Sequence, residues 1–195
     1  MKEERIIGGY TILECFSIGK YQIVLCENKS APKDERYLCG YLESNALTET
    51  ITDCLVSDTY ADVALSAGER IVKAADETLK VVEEIRDNIG DDSEIMISDC
   101  EPIMINDCLE NKVVVLSGDL LRPDFKNAAY QLLLCEGGFG AQAKARGRSC
   151  GCTRLYDKRS ISCNRGDLIG ILPSEKLPEW AKKALIEIKE KKNNK

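Results

Sequence analysis

Between residues 58 and 89 the apolar side chains Ala61, Leu65, Val72, Ala75, Leu79, Val82 and Ile89 recur at steps of three and four. That rhythm predicts one long amphipathic helix with these residues on a single face, and Gly90 is its natural stop. The opposite face sets Glu69 against Lys73 and Asp76 against Lys80, spacings that suit a solvated surface. Pairing of the stripe in a coiled coil is the alternative use of the same pattern.

A second period appears on either side of this helix. Residues 5–18 and 21–27 are rich in Ile, Val, Leu, Tyr and Phe and are joined by Gly19-Lys20, which predicts a β-hairpin. A third strand is expected near 36–42, after the turn-forming run from Asn28 to Asp34. Beyond the helix, strands are expected at 112–116 and 130–136, with a turn or short helix at 120–127 between them. A hairpin over 148–156 and 160–163 and a short β element at 168–172 follow. A closing helix at 178–191 begins with Pro178 and carries Leu177, Trp180, Ala181, Ala184, Leu185 and Ile188 on one stripe. Residues 90–111 have no clear period and are strongly acidic, so they are read as a connector.

The fold class predicted is α+β, an N-terminal antiparallel sheet with one long helix followed by a second, mostly antiparallel β unit with a C-terminal helix. The expected divisions are 1–90, an acidic connector at 91–111, and 112–195. A chain of 195 residues can bury roughly 70 % of its unfolded surface without staples. No stretch approaches the roughly 20 apolar residues of a membrane span, and the start directs no secretion, so a cytoplasmic protein that does not contact membranes is expected.

Histidine is absent, which removes Ser-His-Asp and Cys-His nucleophile systems and two-histidine zinc helices. Binding is therefore expected ahead of catalysis. The charge map suggests how. Residues 42–111 carry eighteen acids against four bases, whereas 141–165 carry seven bases and the single acid Asp157. Lys144, Arg146, Arg148, Arg159 and Arg165 are the candidate contacts for an anionic partner, because a guanidinium fork suits phosphate or carboxylate. Glu83, Glu84, Asp87, Asp91 and Asp92 are the candidates for a cationic protein partner. Phe139 and Tyr156 are too few rings for a stacking platform, so backbone contact with double-stranded DNA, or duplex RNA, is the expected form of any nucleic-acid binding.

Two further motifs have competing readings. The glycine loop of Gly137, Gly138 and Gly140 follows a predicted strand, and from Gly138 to Ala143 it matches G-x-G-x-x-A, the pattern of a nucleotide-binding loop. Gly147 then interrupts any helix that could follow, so a plain glycine turn is the competing reading. Cys150, Cys152, Cys163 and Cys135 could supply four thiolates to a structural zinc in a nucleic-acid-binding module. They lack the paired C-x-x-C knuckles of a zinc ribbon, and the expectation is no metal and no cofactor. Of the ten cysteines, Cys15, Cys26, Cys39, Cys135, Cys152 and Cys163 lie in or beside apolar runs, where a thiol acts as a small core residue.

Residues 130–185 carry Gln131-Leu132-Leu133-Leu134-Cys135 leading to Gly137-Gly138-Phe139-Gly140, then Ala145-Arg146-Gly147, Arg165-Gly166-Asp167-Leu168-Ile169-Gly170 and Leu177-Pro178-Glu179-Trp180-Ala181-Lys182. Together with the opening Ile7-Gly8-Gly9-Tyr10-Thr11-Ile12-Leu13-Glu14, this resembles small accessory proteins of Gram-positive mobile genetic elements and phages. In size and acidity the chain is also broadly similar to type II anti-CRISPR proteins. The resemblance implies an anti-defence inhibitor that binds a host RNA-guided nuclease of the Cas9 type stoichiometrically, and it brings no catalytic motif. In that setting the acidic face would occupy a cationic nucleic-acid channel while the basic hairpin touches DNA phosphates.

Overall fold

The computed structural model describes residues 5–44, 48–90 and 93–193. The chain is α+β and divides into two compact units, residues 1–82 and 83–195. The boundary expected at residue 90 thus lies earlier, inside the long helix. Residues 93–111 belong to the second unit and are no free connector.

The first unit is a five-stranded antiparallel meander of β1 (Ile6–Ile7), β2 (Tyr10–Ile18), β3 (Tyr21–Glu27), β4 (Tyr37–Ser44) and β5 (Glu49–Ser57), in that spatial order. The sequence reading found β2, β3 and β4, and took residues 5–18 as one strand where Gly8 and Gly9, both at positive φ, separate β1 from β2. It missed β5 because alternation there is broken by Thr and Asp, and most of the strand is solvent-facing. Bulges between Ile12 and Glu14 and between Cys39 and Tyr41 bend the sheet. Arg5, just before β1, forms an ion pair with Glu49 of β5, tying the two edges together. The curl lets one face enclose Val24, Cys26, Leu38 and Leu42 with Ile7, Tyr10, Ile12 and Ile51.

The other face receives α1 (Tyr60–Ile89). Ile23, Leu25 and Cys39 of the sheet pack against Val63, Ala67 and Ala74 of the helix. This overturns the expected packing face: Leu65, Val72 and Leu79 of the periodic stripe are 69 %, 62 % and 59 % exposed. The inward face is instead built on Ala67 and Ala74, whose short side chains let the helix axis lie close to the sheet. Thr78, also inward, donates its hydroxyl to the Ala74 carbonyl at 2.7 Å.

The second unit is a five-stranded antiparallel sheet of β6 (Val113–Leu116), β7 (Leu132–Gly137), β8 (Ser149–Arg154), β9 (Ser160–Asn164) and β10 (Leu168–Ile171), in the spatial order β10-β6-β7-β8-β9. A single helical turn, α2 (Ala128–Gln131), leads into β7. In β6 and β7, successive residues from Val113 to Val115 and from Leu132 to Cys135 are all buried, the mark of strands covered on both faces. One face meets α3 (Glu179–Asn193) through Leu177, Ala181, Ala184 and Ile188, the stripe expected from the sequence. The opposite face is covered by the later part of the 93–111 segment, which buries Leu109 completely and packs Ile103 beside it, while Ile95 and Cys100 pack on the α3 side. Glu101 bridges to Ile171 by backbone hydrogen bonds of 2.9 Å in both directions. Gln131, wholly buried, accepts from the Ile95 amide at 2.8 Å and donates to the carbonyls of Ile95 and Leu116. Among the described residues, no helix is long and apolar enough to cross a membrane.

Candidate partner-binding site

The loop between β7 and β8 is held by Arg165, which sits just before β10. Its guanidinium donates to the carbonyls of Gly140 (2.8 Å), Gln142 (3.4 Å), Met104 (2.8 Å) and Asp107 (3.0 Å). One side chain thereby ties the 138–148 loop to the 104–107 segment. The Lys144 amide adds a bond to the Ile105 carbonyl at 2.8 Å, with Lys144 in a left-handed conformation at φ +52°. The Leu109 amide reaches the Ala141 carbonyl at 2.7 Å.

Arg165 is therefore a brace, with both terminal nitrogens of its guanidinium bonded to backbone carbonyls, a use its reading as a contact for an anion did not include. The other basic candidates separate into two groups. Lys144, Arg146 and Arg148 are exposed on the braced loop and have no side-chain hydrogen bond or ion pair among the described residues. Arg159 lies at the far end of β8, about 17 Å away along the strand, 3.4 Å from the Asp157 carboxylate. Burial would raise the Asp157 carboxyl, but the Arg154 guanidinium and the Arg159 amide outweigh it and hold the group below the usual carboxylate range.

Beside the loop runs a groove of about 770 Å³ lined by Ile97, Cys100, Ile103, Ile105, Arg148 and Leu168, among others. Ile97 and Ile105 are 69 % and 75 % exposed, and Met104, next to Ile105 in the chain, and Phe139, on the 138–148 loop, have comparable exposure. Its one carboxylate, Asp167, accepts from the Asn164 amide at 3.0 Å. Burial raises the Cys100 thiol, so it stays protonated at neutral pH. The groove thus offers apolar surface and cations, and no nucleophile beside a base is found among its described residues. The sequence reading missed the apolar half because Ile97, Met104 and Ile105 sit in an aperiodic acidic stretch. The Ile-Met-Ile triplets at 95–97 and 103–105, repeated within that stretch, were the available signal.

Glu83, Glu84 and Asp87 are exposed on the last turns of α1, whereas Asp91 and Asp92 lie outside the described residues.

The glycines of the 137–140 loop serve close packing. A Cβ at Gly138 would come within 2.6 Å of the Ser149 carbonyl oxygen, and one at Gly140 within 2.4 Å of that of Arg148. The amide of Gly140 donates to Ser149 and that of Ala141 to Gly138. Those two N–H groups, which a phosphate cradle would require, already have partners.

Cys135, Cys150, Cys152 and Cys163 do meet on one face of the second sheet, through the pairs Cys135 with Cys152 and Cys150 with Cys163. The Cys152 and Cys163 sulfurs are 3.8 Å apart. Hydrogen bonding with Cys152 lowers the thiols of Cys135 and Cys163, while that bonding and then burial raise Cys152 itself. Burial pushes Cys150 up to about 11. The four sulfurs lie in a layer over one sheet face, among Leu109, Val114 and Leu133. Among the described residues, no group of three or more such side chains is arranged to hold a metal ion. Elsewhere Cys15 is exposed, in contrast to its expected place in the core.

Compared with protein-family models, with curated proteins and with solved structures, the chain matches none.

Proposed function

We propose that this chain is a non-enzymatic binding protein that grips a macromolecular partner with the 138–148 loop and the adjoining groove of its second unit. The observation that carries this reading is the placement of three unpaired cations, Lys144, Arg146 and Arg148, on a loop fixed by Arg165 beside exposed Ile97 and Ile105. A rigid loop presents charge without losing conformational entropy on binding, and apolar side chains next to unpaired cations suit a surface that is both anionic and greasy. The resemblance to mobile-element accessory proteins makes the partner a host RNA-guided nuclease, engaged so as to block it, with DNA phosphates as the anionic ligand. Glu83, Glu84 and Asp87 form a second, separate contact toward a cationic channel of that nuclease.

The test is co-purification of the tagged full chain with Cas9-type nucleases, followed by DNA cleavage with and without it. Binding and inhibition are expected, and a Lys144→Glu/Arg146→Glu/Arg148→Glu variant should bind at least about 100-fold more weakly. For direct DNA binding, the same variant should reduce the salt slope by about 2 to 3. Absence of a complex and undiminished cutting across several such nucleases would reject the nuclease reading. Binding unchanged by the triple variant would reject the loop as the contact.

A further inference from the structure

Leu65, Val72 and Leu79 stand on the outer face of α1 at heptad spacing, alternating with Gly68, Ala75 and Val82. Large residues occupy one seam position, and two of the three at the other are small. Gly68 is the informative member. Glycine inside a helix is less favourable than alanine, yet a Cβ built at Gly68 meets nothing within 4 Å. The packing of a single copy therefore gives no reason for it. Together with Ala64, Leu65, Glu69 and Val72 it lines a shallow hollow of about 540 Å³. Such a hollow, flanked by two large apolar side chains, has the form of a hole that accepts a knob from another helix.

We propose that α1 pairs antiparallel with α1 of a second copy, Leu79 of each chain seating in the Gly68 hollow of the other. In an antiparallel pair the large seam position of one helix faces the small position of its partner. The layers Leu65 with Val82, Gly68 with Leu79 and Val72 with Ala75 are then all generated by one two-fold axis. The occupant is a second copy because one stripe supplies both knobs and holes in matching order. A parallel pair would stack Leu65 on Leu65 and leave Gly68 facing Gly68 across an empty layer. Residues 65–82 lie within the first unit, so the pairing is independent of the binding loop. Three such layers make a contact smaller than a standard stable interface, so a weak, concentration-dependent dimer is expected. Glu69 and Asp76, both exposed beside the seam, face their acidic counterparts across the axis, so added salt tightens the dimer.

Sedimentation equilibrium of the full chain under reducing conditions, up to about 300 µM, tests this. Expected is a monomer–dimer equilibrium that tightens several-fold between about 50 and 500 mM salt. Leu79→Glu should weaken it at least about 100-fold, and Gly68→Leu about 10-fold by filling the hole, both with unchanged circular dichroism. A chain still monomeric at the highest concentration overturns the proposal, as does a dimer indifferent to Leu79→Glu. A dimer strengthened by Gly68→Leu overturns the antiparallel register.

Discussion

The helices α1 and α3 carry apolar stripes of the same period, yet one stripe faces outward and the other inward. In α3 the stripe of Ala181, Ala184 and Ile188 is at most 8 % exposed and seals one face of the second sheet. In α1 the more hydrophobic stripe of Leu65, Val72 and Leu79 faces away from the sheet, and Val63, Ala67 and Ala74 do the packing. The difference teaches that period identifies a face able to be buried without identifying what buries it. The closeness of approach to a sheet favours small residues. A stripe of large residues left outside is then free for another molecule.

The same contrast between inward and outward copies of one residue type generates measurable pairs. The largest expected effect is at the two stripes. Ile188→Glu places an unpaired charge in the core and should cost about 4 kcal/mol or more in urea unfolding, whereas Leu79→Glu should stay within about 0.5 kcal/mol in dilute protein. Comparable losses would erase the distinction between the helices. Next come the glutamines. Gln131→Ala leaves the amide of Ile95 and two carbonyls without partners and should cost about 3 kcal/mol, while Gln142→Ala, at an exposed side chain, is expected to be near neutral. For the arginines, Arg165→Ala removes the brace and should cost about 2 kcal/mol, while Arg148→Ala should leave stability unchanged and lower partner affinity. Equal stability of these two variants would remove Arg165 from its structural role.

The smallest effect concerns Asp157. Because its folded-state carboxyl titrates below the ordinary value, the stability it contributes is present above about pH 4 and is lost as the pH falls through the folded-state value. Asp157→Asn should cost roughly 0.5 to 1 kcal/mol at pH 7. That cost should shrink toward zero in acid-titration unfolding curves below about pH 4; a gap that stays constant into strong acid would contradict the coupling.

What could be read from the chain alone follows the strength of local signals. Strands β6 to β10 and both long helices were legible because runs such as Val113–Leu116 and Leu132–Cys135 are unbroken, and because Pro178 and Gly90 punctuate their ends. The α1 packing face was not legible, since Leu and Val outweigh Ala in any periodic reading while sheet geometry rewards the smaller residue. The 93–111 segment looked like a linker because its burial runs through Ile95, Ile103 and Leu109 at irregular spacing, and only the second sheet gives those positions a common destination. At the candidate site, the cluster of Lys144, Arg146 and Arg148 was visible as a charge run. The internal use of Arg165 was not, because its acceptors are backbone carbonyls far away in sequence.

Hydroxyl-radical footprinting of the dilute chain, read residue by residue by mass spectrometry, compares the two stripes in a single sample. Leu65 and Leu79 of α1 should be oxidised at least about 10-fold faster than Ile188 of α3, given their difference in exposure. Protection of Leu65 and Leu79 equal to that of Ile188 in the monomer would mean that α1 packs through its large residues after all.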